Sequence, residues 1–216
     1  MEVLNNNQQK LSPYAGDAYS VSWNIMWKSF IGLFVVTILY AIISGPTAMF
    51  QWETDKFEWF LLPVVFFGIG FGLFIAGPIG YSTQWVFLKA VRGESFEIRD
   101  MFEVFQRNYW NAVAANLVVG LIIGIGIIML IVPGIIFACR LAFVPYLVID
   151  REMEVTEALT RSWEMTKGHG WQIFLMGILA FFIAILGLIV LFFGVIISLI
   201  WIQTAFATMY QAVVED

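Results

Sequence analysis

The chain has 216 residues, 61% of them hydrophobic and 12% charged, with a mean hydropathy of +0.86 and a formal net charge of −5. A soluble domain carries about 25% charged residues, so the composition excludes an ordinary soluble fold and implies one integral membrane domain. No basic run exists to neutralise phosphates, which argues against a nucleic-acid partner, and the apolar runs are continuous, which selects helices over an alternating β-barrel.

Residues 1–16 are polar and lack the apolar centre of a signal peptide, so they read as a cytoplasmic tail. Tyr19, Ser22, Trp23, Met26, Trp27 and Phe30 then recur at helical spacing, with Asp17, Ser20, Asn24 and Lys28 opposite. That pattern predicts an amphipathic helix with aromatics suited to a headgroup interface. It leads into a first span over about 29–44, which Gly45-Pro46 should end. Glu53, Asp55, Lys56 and Glu58 follow in a far-side loop between Trp52 and Trp59. Residues 59–91 would reach roughly 50 Å as one helix, against a hydrocarbon core of about 30 Å. A single span kinked at 77–80 by Gly77-Pro78 and Gly80 is expected. Gly68, Gly72, Ala76 and Gly80 fall on one stripe that lets another helix approach, either within the chain or on a second copy.

A second amphipathic helix is predicted over 95–108. Ile98, Met101, Phe102, Phe105 and Tyr109 form its apolar stripe, Ser95 is its N-cap, and Glu103 pairs with Arg107. A membrane hairpin comes next, with spans at 110–132 and 135–149 joined at Val132-Pro133-Gly134. Gly120 and Gly124 give its first arm a close-packing face. A third amphipathic helix over 154–167 has Val155, Ala158, Leu159, Ser162 and Trp163 on one face and a Glu157–Arg161 pair on the other. Gly168-His169-Gly170 ends it. Spans at 171–190 and 194–212, joined through Leu191 to Gly194, complete a transmembrane domain over 17–213, and 214–216 form a cytoplasmic end.

The expected fold is therefore all-α and polytopic, with six transmembrane helices and three cytoplasmic interfacial helices. The blocks share one plan, amphipathic helix then helical hairpin, and Gly80, Gly134 and Gly194 can be put in register as an internal repeat. Lys10, Lys28, Lys89, Arg92, Arg99, Arg107, Arg151, Arg161 and Lys167 fall on one side, with only Lys56 opposite. The positive-inside rule then places both termini in the cytoplasm.

The stretches VRGESFEIRDMFEVF, IVPGIIFACRLAFVPYLVID and EALTRSWEMTKGHGWQIF resemble the YciC-type family of bacterial inner-membrane proteins. That family is similar in turn to the membrane domain attached to some glycerophosphoryl diester phosphodiesterases. The resemblance spans roughly 85–213 and is carried by Gly93-Glu94, Pro133-Gly134, Arg140 and Ser162-Trp163. It implies a six-helix bacterial inner-membrane protein without an established activity, and no phosphodiesterase domain is expected within this chain.

No catalytic set is visible in the sequence. His169 is the only histidine, so paired metal ligands of the HExxH kind are missing, and no Asp or Glu falls inside a predicted span. The glycines of 68–72 and 124–126 read as packing features, the lone Cys139 as a small buried residue, and Gln84 and Asn116 as links between helices. No metal or cofactor is implied. The candidate site is Arg140, a costly charge within a span. Counted from the Pro133-Gly134 turn it lies about 9 Å deep, level with Tyr40 and Ser198, whose hydroxyls could bond it. A guanidinium there either clamps helix ends or holds an anionic phospholipid headgroup. The first expectation is a non-enzymatic membrane protein that interacts with lipids or organises the membrane. The alternative is a small transporter or channel for a small solute or lipid, suited by the repeats and the Gly-Pro break. A lipid enzyme lacks a nucleophile with a base.

Overall fold

The computed structural model describes residues 13–49, 62–189 and 191–215. Most of the polar tail and the far-side loop with its two flanking tryptophans lie outside them. The helices are α1 (Ala15–Lys28), α2 (Phe30–Met49), α3 (Leu62–Phe71), a π turn (Gly72–Ala76), α4 (Gly77–Arg92), a 3₁₀ helix (Ile98–Phe105), α5 (Tyr109–Met129), α6 (Ile131–Arg140), α7 (Val144–Asp150), α8 (Val155–Met165), α9 (Gly170–Ile189) and α10 (Leu191–Glu215). No strand occurs among the described residues. Five helices are long and apolar enough to cross a membrane: Phe66–Arg92, Tyr109–Met129, Ile131–Asp150, Gly170–Ile189 and Gly194–Glu215. α2 makes a sixth only together with α1, from which it turns by 97°.

Several element ends differ from the expected ones. α2 continues through Gly45-Pro46 to Met49. The kink in the second long helix is a π turn just ahead of Gly77-Pro78. Pro78 has no N–H to give the Phe74 carbonyl, and the Gly77 N–H reaches back to Gly72 O, the i−5 register of a π turn. Tyr109 of α5 donates its hydroxyl to Phe74 O at 2.8 Å, so the freed carbonyl is paired. Of the small-residue stripe, Gly80 lies against the Tyr40 hydroxyl. Gly77, beside the stripe, is closed by the Asn116 amide, with which a Cβ would collide.

The hairpin turns at Leu130, in extended conformation, three residues before the expected Pro133. Pro133 sits in the first turn of α6, where its missing N–H costs nothing. Gly134 presses on α5, since a Cβ there would stand 2.8 Å from the Ile127 nitrogen, and Gly126 answers it from the other side. Gly120 and Gly124, expected to be the packing face, meet nothing within 4 Å. The return arm is broken at residues 141–143, because Pro145 cannot donate to Leu141 O. The Val144 N–H takes that carbonyl in a tighter turn at 3.1 Å. α10 is helical from Leu191, ahead of the expected Gly194.

The second short helix is 3₁₀ rather than α. Glu97, not Ser95, caps it in a reciprocal capping box with Asp100. It is stitched to α4: Val104 N–H donates to Ser82 Oγ at 2.9 Å, Trp85 Nε1 to Glu103 at 2.8 Å, and Lys89 meets Asp100 at 3.0 Å. Glu103 also holds Arg107 at 3.0 Å. Met101 and Val104 face inward, whereas Ile98, Phe102 and Phe105 are exposed. In α1 the buried stripe is Ala15, Ala18, Tyr19, Ser22 and Met26, and Trp23 and Trp27 point outward. In α8, Arg161 pairs with Glu164 at 3.6 Å rather than with Glu157.

One polar knot ties three spans at the end where the cationic residues gather. Asp150 of α7 is buried and takes both Arg92 amino groups from α4, at 2.6 and 2.9 Å. Tyr210 of α10 donates to the same carboxylate at 3.0 Å, and Arg92 Nε donates to Gln211 at 2.9 Å. Asp150→Ala strands a guanidinium and a phenol together. It is expected to cost about 3–5 kcal/mol, the range for breaking a buried pair, read as early unfolding in detergent titrations.

Asp100 supplies a pH dependence. Burial alone would raise its carboxyl, but the Glu97 amide and the Lys89 ammonium outweigh it and hold it below the usual carboxylate value. Its contribution is therefore full at neutral pH, above the unfolded value of about 3.9, and is lost as pH falls through the lower folded value. Melts of Asp100→Asn and the parent should differ most near pH 7 and converge in strong acid.

Candidate functional site

Arg140 is the last residue of α6, at the break that Pro145 imposes. Its carbonyl loses the usual helical donor and is taken instead by α8: Ser162 Oγ donates at 2.8 Å and Thr166 Oγ1 more weakly at 3.4 Å. Its guanidinium lies 5.6 Å from the centre of the Trp163 ring, within cation–π range. Phe137 backs that ring at 6.1 Å. The tip of the side chain reaches the head of α9, where a Cβ on Gly170 would sit 3.7 Å from Cζ. Nη1 is buried and has no hydrogen-bond acceptor among the described residues.

The guanidinium closes the polar end of a cavity of about 580 Å³ between α6 and α9. Val132, Ile135, Ile136 and Cys139 form one wall, and Gly168, Gly170, Trp171 and Phe174 the other. The walls are apolar and their outer members are open: Val132 and Trp171 are each 66% exposed. A buried cationic nitrogen without an acceptor is the arrangement least favoured by the fold itself, and an anionic group reaching it from the cavity would complete it.

The three residues singled out by sequence are not brought together. Ser198 donates its hydroxyl to Ile183 O at 3.0 Å and sits against Gly187. The Tyr40 ring packs at Gly80, and its carbonyl accepts Ser44 Oγ at 2.7 Å. Neither hydroxyl bonds Arg140. The expected depth was measured from the wrong turn. With the chain reversing at Leu130, Arg140 lies ten residues along, about 15 Å, and its side chain turns toward the α8–α9 corner. Trp163, Ser162 and Thr166 are the partners the sequence does not announce. Ser162 and Thr166 fall one helical turn apart, the signal that could have marked a hydroxyl-bearing face. His169 belongs to the same corner through its backbone, its N–H donating to Thr166 O at 3.2 Å.

Residues 101–214, more than half of the chain, match the family described as the membrane domain of glycerophosphoryl diester phosphodiesterase. The chain belongs to this family. No curated protein and no solved structure matches it. The stretch matched to this membrane-domain family contains Arg140, its α8 partners and every wall of the cavity, while α1 to α4 lie before it.

Ser162→Ala leaves the Arg140 carbonyl to the long Thr166 contact alone. It should lower stability by about 1 kcal/mol in a detergent melt. Ser20→Ala, which removes an exposed local bond to Asp17 O, should leave the melt unchanged.

Proposed function

We propose that this integral membrane protein binds an anionic membrane lipid, with the lipid's phosphate on Arg140, and that its role is non-enzymatic. The observation that carries the reading is Arg140, which lines one end of an apolar groove and whose buried Nη1 has no acceptor among the described residues. A guanidinium nitrogen left without an acceptor beside apolar walls is costly. Trp163 offsets part of this, and a phosphate oxygen would supply the charge-assisted bond that the protein does not. The family's name concerns a glycerophosphoryl diester, which fits a phosphate-bearing lipid as the ligand class.

The reading includes a setting. Lys89, Arg92, Arg107, Arg151 and Lys167 gather where the 3₁₀ helix and α8 lie, which supports a cytoplasmic position for that side. The exposed Ile98, Phe102 and Phe105, with Trp23 and Trp27 of α1, suit helices resting in the headgroup region. The three-fold order of short helix and long pair supports an internal repeat. The resemblance to YciC-type proteins supports a multi-pass protein of a bacterial inner membrane. The open glycines of α5, Gly120 and Gly124, leave a face on which a second copy fits. A transporter is the second reading, favoured by the broken α6–α7 span. The fully buried Leu33, Val36, Val86, Phe143 and Ile200 count against a polar path through the bundle.

Arg140→Met separates ligand holding from mere clamping. In lipid-free detergent the variant should melt higher than the parent, because an unpaired charge has been replaced by a packed apolar chain. Added phosphatidylglycerol should then raise the parent's Tm by mass action and leave the variant's unchanged. Equal responses of the two proteins to the lipid would overturn the assignment.

A further inference from the structure

Beyond the cavity at Arg140 lies a second one of about 470 Å³, also between α6 and α9. Both are bordered by Ile135, Cys139 and Phe174, so they are two lengths of one groove. From Gly170 to Phe182, at 1.5 Å per residue, it is about 18 Å long. Charge is confined to the Arg140 end. The far length is walled by Ala138, Gly177, Ile178, Phe181 and Phe182. It stays open because Gly177 has no side chain: nothing lies within 4 Å of where its Cβ would be.

A guanidinium at one end of a long hydrocarbon trough matches a phosphate joined to a chain. We propose that the α6–α9 groove seats one acyl chain of an anionic glycerophospholipid whose phosphate rests on Arg140, the molecule arriving sideways from the bilayer. This rests on the headgroup reading above and adds the chain and its source. A water-soluble phosphate ester would satisfy the guanidinium but leave the trough unfilled. Lipid tails are as apolar as these walls, so filling the trough brings little hydrophobic gain. Its contribution is van der Waals contact along the chain and a fixed register for the phosphate. Val132, Ile136 and Trp171, at 66%, 49% and 66% exposure, flank the opening and face outward. The groove therefore opens on the surface that membrane lipids wet.

Gly177 allows a test that leaves Arg140 untouched. The full chain, stripped of lipid in detergent, is titrated with phosphatidylglycerol and separately with glycerol 3-phosphate, with bound ligand counted by native mass spectrometry. Gly177→Ala, Gly177→Leu and Gly177→Phe should weaken phosphatidylglycerol binding in order of size, by at least tenfold for Phe. The parent should bind glycerol 3-phosphate at least a hundredfold more weakly than the lipid. If Arg140→Met loses the lipid while the whole Gly177 series binds like the parent, the chain inference is overturned and the headgroup reading stands. If Arg140→Met also binds like the parent, both fall. Glycerol 3-phosphate binding as tightly as the lipid overturns the bilayer source. Within the Gly177 series only variants whose melting temperature matches the parent are compared, and Ala and Leu carry the test should Phe fail to fold.

Discussion

Inside hydrocarbon no water is present to take an unpaired backbone carbonyl, and each one left open costs several kcal/mol. The described part of this bundle shows where that constraint bites. Pro78 frees Phe74 O, and a tyrosine hydroxyl from α5 arrives to accept the role of donor. Pro145 breaks the ladder at Leu141, and the Val144 N–H turns inward to cover it. Arg140 O, left at the same break, is covered by Ser162 of α8. The repairs at Phe74 and Arg140 cross to another element, so these two interruptions become tethers. The prolines thereby fix which helices are neighbours, and the π turn and the broken α6–α7 arm are consequences of the same rule.

Side-chain charge follows a different division. Arg92 and Arg140 both stand at the end of an apolar helix. Arg92 is met by a bidentate carboxylate, an amide oxygen and the face of Trp85, whose centre lies 5.6 Å from Cζ. Its cost is answered within the chain, and its geometry locks α4, α7 and α10 together. Arg140 is met by a ring, a glycine and an empty-walled groove. Two identical cations in one bundle thus have opposite standing. One is part of the frame, and the other keeps hydrogen-bonding capacity that the frame does not use.

The sequence conveyed the class of fold because apolar length and the lack of alternation are properties of composition along the chain. It also conveyed Arg140, since a charge in an apolar run needs no structure to be conspicuous. The turn falls elsewhere than expected because Pro133-Gly134 reads as a reversal, whereas proline is equally at home in the first turn of a helix. That error of a few residues changed the depth assigned to Arg140 and paired it with Tyr40 and Ser198. Pro145 carried the information about the break, but its effect falls four residues upstream, on Leu141. The knot at Asp150 was hidden for another reason. Its members come from residues 92, 150 and 210, and nothing local to any of them announces the others.

Register sharpens the case for the groove. On the repeat proposed above, with Gly80, Gly134 and Gly194 in register, the positions corresponding to Arg140 are Val86 and Ile200. Both are fully buried apolar side chains in the core. On that proposal the packing plan does not call for a cation. The backbone at Arg140 does not call for one either, because the contact with α8 runs through its carbonyl and any residue would provide that. What the arginine adds over an aliphatic residue is only its guanidinium, which ends in a ring contact and an unshared Nη1. The free energy of placing it there is offset when an acceptor lies in the groove, as the proposed lipid phosphate would.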